Sequence, residues 1–387
     1  MDNFEIEVIG KDNSETISEG AVIKAIGVGG GGGNMINYMV EQNLTEIELI
    51  TANTDAQALD SSLAPYKIQL GKNLLKGLGC GMKPERGREA AVESYEEIKE
   101  ALSGANMVFI AAGLGGGTGT GAAPIVAQAA KDVNALTVGV VTTPFKFEGR
   151  KRMKIAEEGL KELKKECDSI IVIPNEKLLS IVDKKLGIKE SFKLVDDILA
   201  QAVSGISNVI ISHSENDINL DFNDVRTVMS HKGKALMGVG RASGDNAAYE
   251  ATMQAINSPL LGDISIKGAQ GVLVHFKINS NYPLTEIAEA MNTLEEFADE
   301  EAFVIFGTTT SDEIPEDEVS ITIIATGFEK EESSTQPDPT GGPGKPQNTT
   351  SKPNIPKPRV VGIRKVVGND LEESYFDTPT FLREQRD

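Results

Sequence analysis

The sequence predicts an α/β fold built on a largely parallel sheet. Short apolar runs alternate with helix-period segments through the first half, and two of those runs end in glycine-rich turns. A long helix with one apolar stripe then separates this half from a second, α+β unit. The length of 387 residues exceeds one ordinary core, so two domains are the default expectation. An apolar fraction of 40% with 39 glycines fits a globular α/β chain better than a disordered or fibrous one.

Residues 1–20 are acidic and polar and lack an apolar h-region, which predicts a flexible N-terminal segment and no secretory signal. Apolar runs at 21–28, 47–52, 107–112, 136–142 and 169–173 predict strands covered on both faces. Helical patterns at 34–42, 87–102, 122–131 and 150–165 supply the crossovers, giving a Rossmann-like domain over 21–190. Ligands in such sheets gather at the carboxyl ends of the strands. Phe192, Val195, Ile198, Leu199, Ala202, Ile206 and Val209 recur at three- and four-residue spacing and predict a central helix over 191–212. The second unit, 213–328, reads as helices at 223–230, 246–257 and 284–299 with strands at 235–241, 272–278, 303–309 and 319–326. Residues 331–358 hold seven prolines and, among large apolar residues, only Ile355. Such a stretch buries too little to offset its ordering entropy, so 329–370 is expected to be a disordered linker. Apolar residues return in the tail, 371–387.

The densest signal is the run Gly115, Gly116, Gly117, Thr118, Gly119, Thr120 and Gly121, set between a buried strand and a helix. A glycine turn there points successive backbone N–H groups at one spot beside the positive end of a helix dipole. That is an anion cradle, and Thr118 and Thr120 add hydroxyls to it. A second turn, Gly27 to Asn34, follows the first strand and contains a G-x-G-x-x-G match, so a dinucleotide oxidoreductase is a rival reading. Against it, two strands rather than one end in such turns, and none of His213, His231 and His275 sits in a convincing catalytic context. No glycine turn runs into Gly-Lys-Ser/Thr, which excludes a P-loop NTPase.

A net charge of −20 argues against a duplex-binding surface, so no direct nucleic-acid partner is expected. Cys80 and Cys167 are the only cysteines, without metal-like spacing, which suits a reducing compartment and no dedicated metal centre. No apolar run reads as a membrane span, so the expected location is cytoplasmic.

Gly115–Gly121 as GGGTGTG is the signature shared by tubulins and FtsZ, and the chain resembles this family from about residue 21 to 328 and again at its extreme C-terminus. Supporting segments are Gly27 to Asn34, Asn53 to Leu59, Gly79-Cys80-Gly81 with Pro84, Pro144 to Arg152, and Asn219 to Asp224. The resemblance implies a tubulin-like fold, binding of GTP or GDP with Mg2+, and head-to-tail polymers that form a division ring at midcell. It places Gly29, Gly30, Gly31 and Asn34 at the α- and β-phosphates, the signature loop at the β-phosphate, and Gly81 at the γ-phosphate. Asn53 and Asp55 would lie near the phosphates and Mg2+. Glu148 and Arg152 would meet the ribose, with Pro144 also in the nucleotide site, and Asn175 would bond the base. Phe192 would stack on guanine, while Asp196 would accept from its N1–H and N2–H groups. Asp197 is the competing reader, with Asp196 favoured by its spacing from Phe192. Asp221 and Asp224, with Asn219 shaping the junction, would enter the neighbouring copy's pocket and polarise the attacking water. Asp377, Pro379, Phe381, Leu382 and Arg383 resemble the family's short peptide for membrane-tethering partners. Arg359 to Lys365 is basic and could touch anionic lipid or protein.

Taken singly, these residues have plainer readings. Phe192 and Asp196 read as a core aromatic and a solvated acid, Glu148 and Arg152 as a charged helix start, and Asn219, Asp221 and Asp224 as turn and cap residues. Their joint order is what the plainer readings leave unexplained. Cys80, where a small residue such as Ala is usual, and Thr143, where Lys often precedes Pro144, depart from the family pattern.

Overall fold

In the computed structural model, the residues described are 20–44, 46–178, 187–211, 217–231, 233–261 and 266–328. Apart from Gly20 and the last turn before residue 329, the N-terminal segment, the linker and the tail, with Asp377, Pro379, Phe381, Leu382 and Arg383, lie outside them. The chain opens with β1 (Ile23–Val28), buried along its whole length, which runs straight into α1 (Gly29–Glu41). Then come β2 (Glu48–Asn53), α2 (Ala56–Asp60), β3 (Tyr66–Gln69), α3 (Lys72–Leu75), α4 (Pro84–Glu93) and α5 (Tyr95–Leu102). These are followed by β4 (Met107–Gly113), α6 (Thr118–Asp132), β5 (Leu136–Thr143), a 3-10 turn (Lys146–Glu148), α7 (Arg150–Glu166), β6 (Ser169–Pro174) and α8 (Asn175–Leu178). The long α9 (Ile188–Ile211) leads to α10 (Phe222–Met229), β7 (Gly233–Ser243), α11 (Ala247–Ile256), β8 (Gly271–Ile278), α12 (Leu284–Phe297), β9 (Phe303–Thr310) and β10 (Glu318–Thr326).

The strands form one sheet in the order β3-β2-β1-β4-β5-β6-β7-β10-β8-β9. β1 to β6 are mutually parallel, as the near-continuous apolar runs require, and β10 is antiparallel to both β7 and β8. β6 pairs with β7 at Ser169↔Gly233, so the predicted halves 21–190 and 213–328 share this sheet. The strand order reverses between β1 and β4, which is where a crevice opens at the carboxyl edge. β1 and β4 pair from Ile23↔Met107 to Val28↔Ala112, so the glycine turns that follow them leave the sheet side by side.

One face of the first six strands is covered by α1 and α9 through Met35, Ile36, Met39, Ile198, Leu199 and Ile206. The other is covered by α4 to α7 through Ala90, Ile98, Leu102, Val126 and Leu163. Lys193–Ile211 is long and apolar enough to cross a membrane by length and composition, contrary to the sequence reading, but it is mostly buried in this core. Its apolar stripe faces protein.

The predicted single helix 87–102 is two. Ser94 breaks it with φ −99° and ψ 16°, and its Oγ accepts the Gly71 N–H across the loop. The helices predicted to start at 34 and 122 start earlier, at Gly29 and Thr118, so the glycine turns double as first helical turns. β3, α2, α3 and α8 are four or five residues long, too short to show a period in the sequence.

Close helix contact explains glycines that no ligand needs. A Cβ at Gly121 would lie 1.9 Å from the Pro84 carbonyl oxygen, and one at Gly87 would lie 2.5 Å from that of Gly117. Backbone meets backbone where α4 crosses α6. Gly121→Ala is therefore expected to cost about 3 kcal/mol of stability by overpacking, read as a lowered urea midpoint. An unchanged midpoint would mean that the helices part at no cost.

Candidate functional site

The crevice at the carboxyl ends of β1 and β4 is built from backbone. The N-caps of α1 and α6 are Val28 and Gly117, neither of which gives a side-chain cap bond, and neither first turn carries an acid. The first N–H groups of both helices are thus left for an acceptor from outside, with two helix dipoles adding their positive ends. Gly29 holds φ +72°, and a Cβ there would lie 2.8 Å from the Gly119 nitrogen. Gly31 would meet Gly113 at 3.1 Å, whereas added carbons at Gly30 and Gly116 would meet nothing within 4 Å. The packed glycines bring the two turns together, and the open ones line the hollow between them. Asn34 is exposed one turn along α1.

Two further loops close on this hollow. After β2, the Asn53 side chain accepts the Asp55 N–H at 3.2 Å, and Asp55 caps α2 by accepting from Gln57 N at 2.9 Å. The loop at Gly79 to Met82 runs through left-handed backbone, with φ +73° at Gly79, +58° at Gly81 and +57° at Met82. A Cβ at Gly81 would again meet nothing within 4 Å, while one at Gly117 would strike Cys80 Sγ at 2.6 Å. The third loop therefore lies directly on the signature loop. Thr120 plays a different part from the one its motif suggested. It is buried, and its hydroxyl accepts the Gly115 N–H at 2.9 Å, so it fixes the loop from within.

On the β5 side, a Cβ at Gly115 would lie 2.6 Å from Pro144, which follows that strand. Glu148 accepts the Phe145 N–H at 2.9 Å and pairs with Arg152 one turn later. Arg152 Nε and Asn175 Oδ1 are both buried without a hydrogen-bond partner. Buried polar atoms are normally satisfied, so among the described residues each has hydrogen-bonding capacity left over for a further partner. On α9, Asp197 is fully engaged. It accepts from the Tyr38 hydroxyl at 2.8 Å and from Gln201 Nε2 at 3.0 Å. Burial pushes the Tyr38 hydroxyl above the ordinary phenol range, with help from that bond. Asp196 has no such partner, and burial alone pushes its carboxyl up to about 7. Of the two neighbouring acids, Asp197 is the one held by other side chains among the described residues. Phe192 lies one turn before it in α9, with its side chain outside the described residues.

The acids of 219–224 are elsewhere. Asp221 caps α10 by accepting from Asn223 N at 2.8 Å; Asn219 and Asp221 are exposed and Asp224 is half-buried. α10 packs against α9, β8 and β9. The crossover from β6 through α9 and α10 leaves the sheet at its carboxyl edge after Pro174 and returns at the amino edge, where Gly233 pairs with Ser169. Leu220 bonds to the Val209 carbonyl, about 20 Å along α9 from Asp196 at ~1.5 Å rise per residue. One copy of the chain thus holds the glycine turns at the carboxyl edge of the sheet and Asn219, Asp221 and Asp224 toward the opposite edge. The Gly27 to Asn34 turn belongs to the same hollow as the signature loop and forms no separate dinucleotide site. Among the described residues, no group of three or more His, Cys, Asp or Glu could hold a metal ion.

Sequence reasoning passed over Tyr38 and Thr54. Nothing in a helix pattern announces Tyr38, whose role depends on a contact with a residue 159 positions away. Thr54 sits between two chosen residues, Asn53 and Asp55, and its side chain bonds to Thr118 across the crevice.

The chain matches the Tubulin/FtsZ family GTPase domain over residues 22–183 and the FtsZ family C-terminal domain over 233–329. It is similar to a structure described as an empty FtsZ dimer from M. jannaschii, at 43% identity and TM-score 0.75, covering 79% of this chain and 88% of that one. A mutant form of M. jannaschii FtsZ matches at 44% identity and TM-score 0.75, covering 80% and 91%. CetZ2 from Haloferax volcanii, described as a GTPγS-bound protofilament, shares the fold at 20% identity and TM-score 0.68, covering 80% and 94%.

Proposed function

Because this chain belongs to the Tubulin/FtsZ family, we propose that it is a GTP-dependent polymerising protein of cell division, which cleaves GTP to GDP and phosphate where successive copies meet. The observation that carries this reading is the separation just described: cradle at one edge of the sheet, acids at the other. The two can meet only if one copy presents its amino edge to the carboxyl edge of the next. Such a contact joins unlike surfaces and, where it does not close a ring, builds a filament. The dimer described for the M. jannaschii FtsZ structure supports it. So do exposed apolar side chains on the cradle side, with Leu78 at 87% and Phe147 at 73% exposure.

Each residue then has a role that its surroundings support. The N–H groups of Gly29, Gly30, Gly31, Gly116 and Gly117 bind phosphate oxygens, with Gly30 and Gly116 opening directly on the hollow. Thr118 donates from its hydroxyl. Gly81 lets the third loop approach the γ-phosphate. Arg152 Nε and Asn175 Oδ1 gain the partners they lack from ribose and base. Asp196 accepts from guanine N1–H and N2–H, a pair of donors that adenine does not offer, so GTP is preferred to ATP. From the next copy, Asp221 and Asp224 orient a water toward the γ-phosphorus and draw on its proton as the bond to the GDP oxygen breaks. Asn219 shapes the junction. Bound Mg2+ would neutralise phosphate charge, and Asp55 with the neighbour's Asp221 and Asp224 offer the hard oxygen donors that such an ion takes. The tail residues Asp377, Pro379, Phe381, Leu382 and Arg383 engage membrane-tethering partners. Many tails on one polymer would hold a cytoplasmic filament to the inner membrane face as a midcell ring.

GTP hydrolysis per molecule is expected to rise steeply with protein concentration, with light scattering rising on addition of GTP and not of ATP. Activity per molecule that stays flat on dilution would identify a self-contained enzyme.

A further inference from the structure

We infer that Thr54 and Cys80 are positioning residues that aim the Thr118 hydroxyl proton at the phosphate chain, an inference that rests on reading the crevice as a GTP cradle. Thr118 Oγ1 lies 2.7 Å from Thr54 Oγ1 and 3.0 Å from Cys80 Sγ. Thr54 and Cys80 are buried, and the Thr118 side is half-buried. The three side chains come from three separate loops, those after β2, around Gly79 to Met82, and before α6.

A hydroxyl has one proton and two lone pairs. The Thr54 proton has two acceptors in reach. Thr118 Oγ1 at 2.7 Å is at full hydrogen-bond strength, whereas Cys80 Sγ at 3.7 Å is a distant, weak acceptor. The Thr54 proton therefore goes to Thr118. The Cys80 thiol has Thr118 Oγ1 as its near oxygen at 3.0 Å, a contact in which either atom could donate; in the inferred arrangement the thiol is the donor. With both lone pairs filled, the Thr118 oxygen can only donate, and its own proton points away from the two buried groups toward the hollow. Without the Thr54 donor, Thr118 is free to turn its proton to Cys80 Sγ, 3.0 Å away, and a lone pair to the anion. The packing holds this arrangement in place. A Cβ at Gly117 would lie 2.6 Å from Cys80 Sγ, and one at Gly29 would lie 3.1 Å from Thr118 Cβ.

The test is a double-mutant cycle on GDP affinity with the full chain at fixed Mg2+. Thr118→Val should weaken binding by about tenfold or more, as expected for loss of a hydrogen bond to a charged group. Thr54→Val should weaken it comparably, although Thr54 touches no phosphate, and the double variant should bind no worse than Thr118→Val alone. Cys80→Ser should keep wild-type affinity and Cys80→Ala should lose part of it; this pair carries the test if Thr54→Val does not fold. Independent, multiplying effects of Thr54→Val and Thr118→Val would overturn the inference, as would a silent Thr54→Val. Failure of the unaltered chain to bind GDP would instead sink the cradle reading, and this inference with it.

Discussion

Asp221→Asn is expected to bind GTP as the wild type does, to assemble, and to lose at least about 100-fold of its hydrolysis, the usual scale of a positioned acid–base group. Its polymers should persist, because the step that weakens the junction is gone. Asn is the informative substitution because Asp221 also caps α10, accepting from Asn223 N at 2.8 Å. Asn caps a helix about as well as Asp, whereas Ala costs about 1 kcal/mol. The pair Asp221→Asn and Asp221→Ala thus separates chemistry from folding. Both should be inactive, and only the second should melt earlier. Loss of GTP binding in step with hydrolysis would contradict the role assigned to Asp221, since that side chain lies at the far edge of its own sheet from its own cradle.

Asp196→Asn is the second large effect. Two hydrogen bonds to a carboxylate, at about 1.5–3 kcal/mol each, separate guanine from a base that cannot make them, so GDP affinity should fall by about 100-fold or more. An amide offers one acceptor and one donor. It matches xanthine, which presents N1–H beside a carbonyl, and the variant should therefore prefer xanthosine nucleotides. The carboxyl of Asp196 is raised by burial to about 7, and guanine donors favour its ionised form. Affinity of the wild type for GDP should then be full above pH 7 and fall by about tenfold per unit as pH drops below it. In Asp196→Asn that slope should vanish. The same shift has the opposite sign for stability. Ionising a carboxyl whose folded value is raised opposes folding, so the free protein carries no such cost below the unfolded value near 4. The cost grows from there up to about pH 7 and is then constant. At pH 8 the Asn variant should be the more stable one without nucleotide. Equal GDP affinities for wild type and Asp196→Asn would remove Asp196 from the base site and return Asp197 to it.

Much of this was legible in the chain because its signals are local. Buried parallel strands write themselves as unbroken apolar runs, and all five such runs in the first half are strands of the observed sheet. The glycine turns were legible because each follows directly on an apolar run and opens a helix. What escaped were features set by distant contacts. The break at Ser94 comes from Gly71 across a loop. β3 is four residues long and becomes a strand only by pairing with β2. The choice between Asp196 and Asp197 rests in the sequence on helix spacing alone, and only the fold shows that Asp197 is bonded to Tyr38 of α1. Thr120 looked equivalent to Thr118 in the motif, yet one turns inward to Gly115 and the other meets Thr54 and Cys80. No sequence pattern distinguishes those orientations. The Cys80 departure from the family pattern lands on a contact that shapes the site.

A mixing experiment tests the composite site most directly. Gly116→Leu is chosen to fill the hollow, since a Cβ there meets no protein atom within 4 Å, and it leaves the acids intact. Asp221→Asn leaves the cradle intact and removes one of the acids. Each variant alone should be nearly inactive. Mixed in equal amounts, they should recover hydrolysis, because the cradle of one meets the acids of the other. A mixture that stays as inactive as its components, while still co-assembling with GTP, would contradict a site shared between two copies.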